Sequence, residues 1–286
     1  MTRLRMLCLA VVLPLGWLVP EPQSPTFSSR IEAVRIDVLV SERNVPVRGL
    51  RPDDFEVFDN GVRQRVDLVV FEQLPLNIVL TLDMSASMSG QRLEQLRTAG
   101  RGVLDGLKKG DQAALVSFSH QVVISAGLTS DISRVRAALD RARPFGDTSV
   151  VDATYTGMMV AESDAGRSLV MVFSDGLDTS SWLAAQDVVE VARRSDAVVY
   201  AVSAVALAKA DFLREVVTHT GGRLIELDST RNLGAAFLSV LDEFRQRYLV
   251  SYSPTGVSKD GWHAVQVRVK GRNPSIKARP GYFAGS

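Results

Sequence analysis

The chain has 286 residues, 46% hydrophobic and 23% charged, enough apolar mass for one large domain and a smaller companion and too little polarity for a disordered chain. Its formal net charge is +1, so no overall basic field draws nucleic acid or anionic lipid to the surface, and nucleic acid is not expected as a partner. The single cysteine, Cys8, lies in an N-terminal apolar run, and beyond that run no thiol remains for disulfides, zinc-thiolate sites or a cysteine nucleophile.

Arg3 and Arg5 precede the largely apolar residues 6–19, the outline of an export signal. As a helix those roughly 14 residues span about 21 Å, short of the roughly 30 Å hydrocarbon core, so cleavage is favoured over permanent anchoring. No clean small-x-small cut site precedes Pro25, which leaves an uncleaved N-terminal anchor open as the one membrane contact. Residues 1–24 are therefore read as a signal peptide, and the location as secreted, periplasmic or cell envelope.

Residues 25–74 read as an N-terminal β segment. Apolar and polar residues alternate over 31–40, and Asn60-Gly61 stands between two further alternating runs, a hairpin signal because both central residues of the favoured turn need positive φ. From residue 75 the texture changes. Nearly continuous apolar runs at 76–82, 113–118, 169–173 and 198–202 have the character of strands covered on both faces. Between them lie helical periods: one after Gly90, expected to stop at Lys108-Lys109-Gly110, and others at 132–142, 150–162, 183–193, 210–219 and 233–246. This alternation over 75–247 predicts an α/β domain with a doubly wound, mostly parallel sheet. Past Arg247 the alternation returns to β, giving a C-terminal β segment over 248–286. Neither flank has enough strands to stand alone, so the two are expected to pair into a small accessory β unit.

In a doubly wound sheet, ligands bind beyond the carboxyl ends of the strands. Asp83 ends the first apolar run and is followed by Ser85 and Ser87; Asp175 follows the run at 169–173; Thr148 sits in a glycine-containing loop ahead of a helix. All five side chains offer oxygen and none offers nitrogen or sulfur, a set suited to a hard divalent cation. The serines could instead cap the following helix, which serine favours. Asp178, Thr179 and Ser180 read as caps of the next helix, Asp152 as solvated or structural, and His120, His219 and His263 are too scattered for a metal-ligand set.

Asp-x-Ser-x-Ser at 83–87, Thr148 and the Ser-Asp-Gly around Asp175 resemble the metal-ion-dependent adhesion site of von Willebrand factor A-type domains, over about residues 75–247. The resemblance implies a Rossmann-like sheet with the first and fourth major strands adjacent. It also implies that Ser85, Ser87 and Thr148 offer hydroxyls to Mg²⁺, with Mn²⁺ or Ca²⁺ as substitutes, while Asp83 and Asp175 supply charge. The sixth coordination position is then left for an exposed Asp or Glu of a protein partner. β segments on both sides and the terminal Arg-Pro-Gly-Tyr-Phe further resemble exported bacterial proteins of the von Willebrand A-related type. Asp147 departs from the pattern, which has a small residue before the threonine.

Enzyme readings are weaker. An aspartyl-nucleophile phosphatase wants a second acid where Ser85 stands, and neither the P-loop nor the nucleophile-elbow string occurs. A metal-dependent hydrolase using Asp83 and Asp175 stays open, as does a purely structural envelope protein. The expectation is a non-catalytic, Mg²⁺-dependent protein-binding module.

Overall fold

The computed structural model describes residues 33–285, apart from 73, 165 and 205–210. The proposed signal peptide therefore lies outside the described residues. The chain from 34 to 71 forms five strands: β1 (Val34–Glu42), β2 (Val45–Pro46), β3 (Phe55–Asp59), β4 (Val62–Gln64) and β5 (Val66–Phe71). β3 and β4 form the hairpin expected at Asn60-Gly61, whose φ values are 45° and 80°.

The α/β portion then runs β6 (Leu76–Asp83), α1 (Gln91–Asp105), β7 (Gln112–Phe118), β8 (Val122–Thr129), α2 (Ile132–Arg141), α3 (Val150–Ala161), β9 (Arg167–Ser174), α4 (Ala185–Arg194), β10 (Val198–Ser203), α5 (Asp211–Thr220), β11 (Arg223–Glu226) and α6 (Leu233–Arg245). Its sheet has the order β11-β10-β9-β6-β7-β8. Every pair is parallel except β7 and β8. β8 and β11 are absent from the sequence reading. With β8 counted, the first strand of this sheet, β6, lies beside the fourth, β9, in the register Leu82 to Phe173.

β6 and β9 are buried along their whole lengths, because α1, α2 and α6 cover one face of the sheet and α3, α4 and α5 the other. α1 ends at Asp105, short of the expected Lys108-Lys109-Gly110. The amide of Gly106 already takes the Gly102 and Val103 carbonyls, and Asp111 Oδ2 accepts the Lys108 amide at 2.7 Å, so the lysines belong to a turn.

After α6 come β12 (Tyr248–Tyr252), β13 (Gly261–Val269), β14 (Ser275–Lys277) and β15 (Gly281–Ala284). They do not form a separate hairpin. β12 inserts between β1 and β5 in a sheet ordered β14-β1-β12-β5, whereas β13 joins β15-β13-β3-β4. Ile36, Val38, Tyr248 and Val250 from the first sheet meet Phe55, Val57, Val267 and Tyr282 from the second, so N- and C-terminal segments share one antiparallel sandwich and one core.

Buried arginines tie the sandwich to the α/β portion. Arg167 Nε donates to Asp37 Oδ1 at 2.8 Å, and its Nη2 pairs with the same oxygen. Arg247, fully buried, donates to Tyr200 Oη at 2.7 Å, to the Gly221 carbonyl at 2.7 Å and to the Asp37 carbonyl at 3.3 Å.

Candidate metal centre

The buried run of β6 delivers Asp83 to the carboxyl end of the sheet with no exposure. Beyond it the chain makes one 3-10 turn, Ala86–Met88, before α1 begins after Gly90. No side chain caps α1, so the cap reading of the serines fails. Instead the Ser85 amide donates to Asp83 Oδ1 at 2.8 Å, and the Ser85 and Ser87 hydroxyls stand 3.0 Å apart. Ser87 Oγ then donates to Asp175 Oδ1 at 2.7 Å. The parallel pairing of β6 with β9 makes this possible, because it brings the loops after both strands to the same edge.

Thr148 arrives from a third loop, fastened to its neighbours by backbone. Phe145 N donates to the Met84 carbonyl at 2.8 Å, Ala86 N to the Gly146 carbonyl at 3.0 Å, and Ser149 N to the Ser119 carbonyl at 2.8 Å. Gly146 has φ 71°, and a Cβ there would stand 2.4 Å from His120 Nδ1, so conformation and space both demand glycine. A Cβ on Gly176 would stand 3.1 Å from Thr148 Oγ1, which places that hydroxyl against the Asp175–Gly176 backbone. All five residues singled out in the sequence therefore share one edge. Asp147 is exposed beside them.

Two further residues belong to the same cluster. Ser174 Oγ donates to Asp83 Oδ2 at 2.7 Å, and Arg92 Nη1 donates to Asp175 Oδ2 at 2.7 Å. Both carry a sequence signal: Ser174 is the strand residue just before Asp175, and Arg92 is a cation in the first turn of a helix, where the dipole disfavours it. Asp178 and Thr179 cap across space rather than ahead of α4. Asp178 Oδ1 accepts the Val151 amide at 3.3 Å, and Thr179 Oγ1 accepts the Thr148 amide at 3.1 Å. Asp152 is structural, accepting the Trp182 and Leu183 amides at 2.9 Å each.

Burial raises the Asp83 carboxyl above its ordinary value, against hydrogen bonds from Ser85 and Ser174 that lower it, and the charge of Asp175 adds to the rise. Arg92 faces only Asp175. Asp83 thus holds a desolvated carboxylate whose hydrogen bonds come from an amide and hydroxyls, an arrangement that favours a cation. The 3.0 Å and 2.7 Å separations along Ser85, Ser87 and Asp175 are those of hydrogen bonds, which hold the three oxygens together at one point of the sheet edge. Among the described residues no group of three or more His, Cys, Asp or Glu is placed to hold a metal.

Comparisons with known proteins agree with this fold. A family model described as von Willebrand factor type A domain matches residues 77–238, more than half of the chain. The chain is 32% identical over 110 residues to an uncharacterized protein of Synechocystis sp., covering 36% of this chain and 26% of that protein. Over 119 residues it is 27% identical to inter-alpha-trypsin inhibitor heavy chain H2 of Mus musculus, covering 37% and 12%. The matched regions are thus about a quarter and an eighth of those relatives' lengths. Among solved structures, proximal thread matrix protein 1 from the mussel byssus, with a zinc-occupied MIDAS motif, has a TM-score of 0.55 at 15% identity over 65% of this chain and 49% of that one. A von Willebrand factor type A protein from Catenulispora acidiphila has a TM-score of 0.54 at 12% identity, covering 80% and 72%. At such identities the structures share the fold, and the family match is what identifies the chain: it belongs to the von Willebrand factor type A domain family.

Proposed function

We propose that this chain is a non-catalytic, Mg²⁺-dependent protein-binding module of an exported or envelope protein. Asp83, Ser85, Ser87, Thr148 and Asp175 hold the cation, directly or through water, and a carboxylate of the partner completes the shell. The observation that carries this reading is the buried carboxylate of Asp83, bonded to an amide and hydroxyls and to no cationic side chain among the described residues, gathered with Ser85, Ser87 and Asp175 at one edge of the sheet. When bound, the cation supplies Lewis acidity toward that partner carboxylate. The chain's own part is to preorganise oxygens: Ser174 fixes one oxygen of Asp83, the Ser85 amide fixes the other, and the Ser87 hydroxyl fixes one oxygen of Asp175, while Arg92 competes with the cation for its second.

Among the described residues Asp83 and Asp175 bond to hydroxyls, an amide and Arg92, and His120, the histidine on this edge, packs its ring against Phe145, which supports binding over hydrolysis. His263 is buried against Asp59 in the sandwich and His219 packs beside Trp262, so neither is placed to serve Asp83 or Asp175. Export rests on the Arg-flanked apolar segment at residues 3–19, and no helix among the described residues is long and apolar enough to cross a membrane. Calorimetric titration of the native chain and of an Asp83→Ala, Asp175→Ala double variant with Mg²⁺, Mn²⁺, Ca²⁺ and Zn²⁺ tests the site. One equivalent should bind the native chain and none the variant; at 100 times Kd the cation should add about 2.7 kcal/mol of stability. Equal binding by both proteins refutes the assignment.

A further inference from the structure

Beside the candidate metal centre the surface is apolar where a soluble protein has least reason to make it so. Trp182 is 94% exposed and Phe145 68%, and Leu177 and Leu183 are exposed as well. Trp182 and Leu183 border an open groove of about 490 Å³ whose other walls include His120, Val122, Ser149 and Tyr155. Phe145 extends this surface, its ring meeting that of His120 edge-on at 5.2 Å.

Trp182 is not exposed for want of a fixed backbone. Its own amide is held by Asp152 Oδ2 and that of Leu183 by Asp152 Oδ1, both at 2.9 Å. Ser181 Oγ donates to Asp178 Oδ1 at 2.5 Å and accepts the Asp152 amide at 3.2 Å. Thr179 and Ser180 donate their amides to the Thr148 carbonyl at 2.8 and 3.1 Å. The loop is stapled across the start of α3, and its bonds leave the indole in water. A solvated indole on a fixed backbone has already lost the loop freedom that binding would otherwise cost, a property of anchor residues.

The apolar surface is continuous with the metal edge by covalent chain. Ser149, in the groove wall, follows Thr148, and Trp182 lies on the loop that opens with Asp175. Charge is divided between the two ends. Arg92 stands at the Asp175 end, whereas the acid nearest Trp182, Asp152, spends both oxygens on backbone amides.

We infer that the partner is a protein segment carrying an Asp or Glu with a bulky apolar side chain close to it in sequence, the acid seated at the metal edge and the apolar group packed against Trp182 in the groove. This rests on the metal-site reading above and adds to it the second half of the recognition element. Trp182 supplies the discrimination: without it every exposed carboxylate is an equivalent ligand, and with it only those beside an apolar residue are retained.

The test is a displayed library of random dodecapeptides selected on the full chain in Mg²⁺, with Trp182→Ala, Trp182→Phe and Asp83→Ala variants selected in parallel. The native chain should enrich peptides in which an acid and a Phe, Trp, Leu or Met occur within a few positions of each other. Trp182→Ala should keep the acid preference and lose the apolar one; Trp182→Phe should recover part of it; both should titrate Mg²⁺ as the native chain does. Enrichment of acids alone on the native chain, no enrichment at all, or an apolar preference unchanged in Trp182→Ala overturns the inference. Failure of the underlying metal reading looks different: acid selection would then survive in Asp83→Ala or in chelator.

Discussion

Removing the carboxylate of Asp37 tests whether the sandwich and the α/β portion are one cooperative structure. Asp37 and Arg167 have side chains only 7% and 3% exposed, and the Arg167 guanidinium has little else: a 3.3 Å bond to the Phe244 carbonyl and the Phe244 ring at 4.9 Å. Asp37→Ala therefore strands a buried charge, at a cost of about 3–5 kcal/mol. In a structure of this size each kcal/mol moves Tm by roughly 2–4 °C, so the loss should be about 6–20 °C. Asp37→Ala combined with Arg167→Met removes both charges and should recover most of that loss, because an apolar replacement of a buried pair is often close to neutral. Scanning calorimetry on the native, single and double variants gives the answer, and the joint of buried arginines predicts one transition in each. A single variant within about 2 °C of native, or a double variant as damaged as the single, refutes the reasoning.

Three further outcomes follow from the metal edge. Arg92→Gln frees the outer oxygen of Asp175, and since a half-exposed pair is worth up to about 1 kcal/mol, Mg²⁺ affinity by calorimetry should rise about two- to fivefold; a fall would make Arg92 essential for positioning Asp175. Gly176→Ala sets a methyl 3.1 Å from Thr148 Oγ1 and should weaken Mg²⁺ roughly tenfold, the scale on which groups supporting a ligand act, with Tm in chelator nearly unchanged; unaltered affinity would remove Thr148 from the site. Because burial raises Asp83, the metal-free folded state binds more protons than the unfolded state as pH falls toward its folded pKa, so Asp83 weakens stability at neutral pH and acidification relieves that penalty. The Tm of the native chain minus that of Asp83→Asn, both in chelator, should rise as pH falls from neutral toward the carboxylate range, and a difference that does not change with pH would contradict the burial argument.

The parts legible in the sequence are those where one physical demand governs a whole run. Strands covered on both faces must be continuously apolar, so β6, β7, β9 and β10 stand out, and helices that lie on them must show a 3.6-residue stripe. β8 escaped because its residues, Val-Val-Ile-Ser-Ala-Gly-Leu-Thr, sit half-exposed on an edge and carry neither a continuous run nor clean alternation. β11 escaped because it is only four residues long. The five oxygen donors were readable since each stands at a strand end or in a loop; Ser174 and Arg92 carry signals of position, but which carboxylate each one bonds is set by register and helix placement, which need the folded sheet. The arginines at 167 and 247 give no signal at all, because charge in a sequence ordinarily means surface.

The joint between the two portions has a mechanical consequence. Phe71, the last residue of β5, is paired with Tyr248, the first of β12, so the α/β portion hangs from two neighbouring strands at one end of the sandwich sheet. On the other side of β12 runs β1, antiparallel, with Val38 opposite Tyr248 and Val34 opposite Tyr252. Tension applied at the metal edge and resisted at Val34 therefore pulls β1 and β12 lengthwise in opposite directions. Their ladder is loaded in shear, each hydrogen bond taking a share, instead of opening bond by bond from an end; a partner could be held under force through this route with the sandwich as the grip.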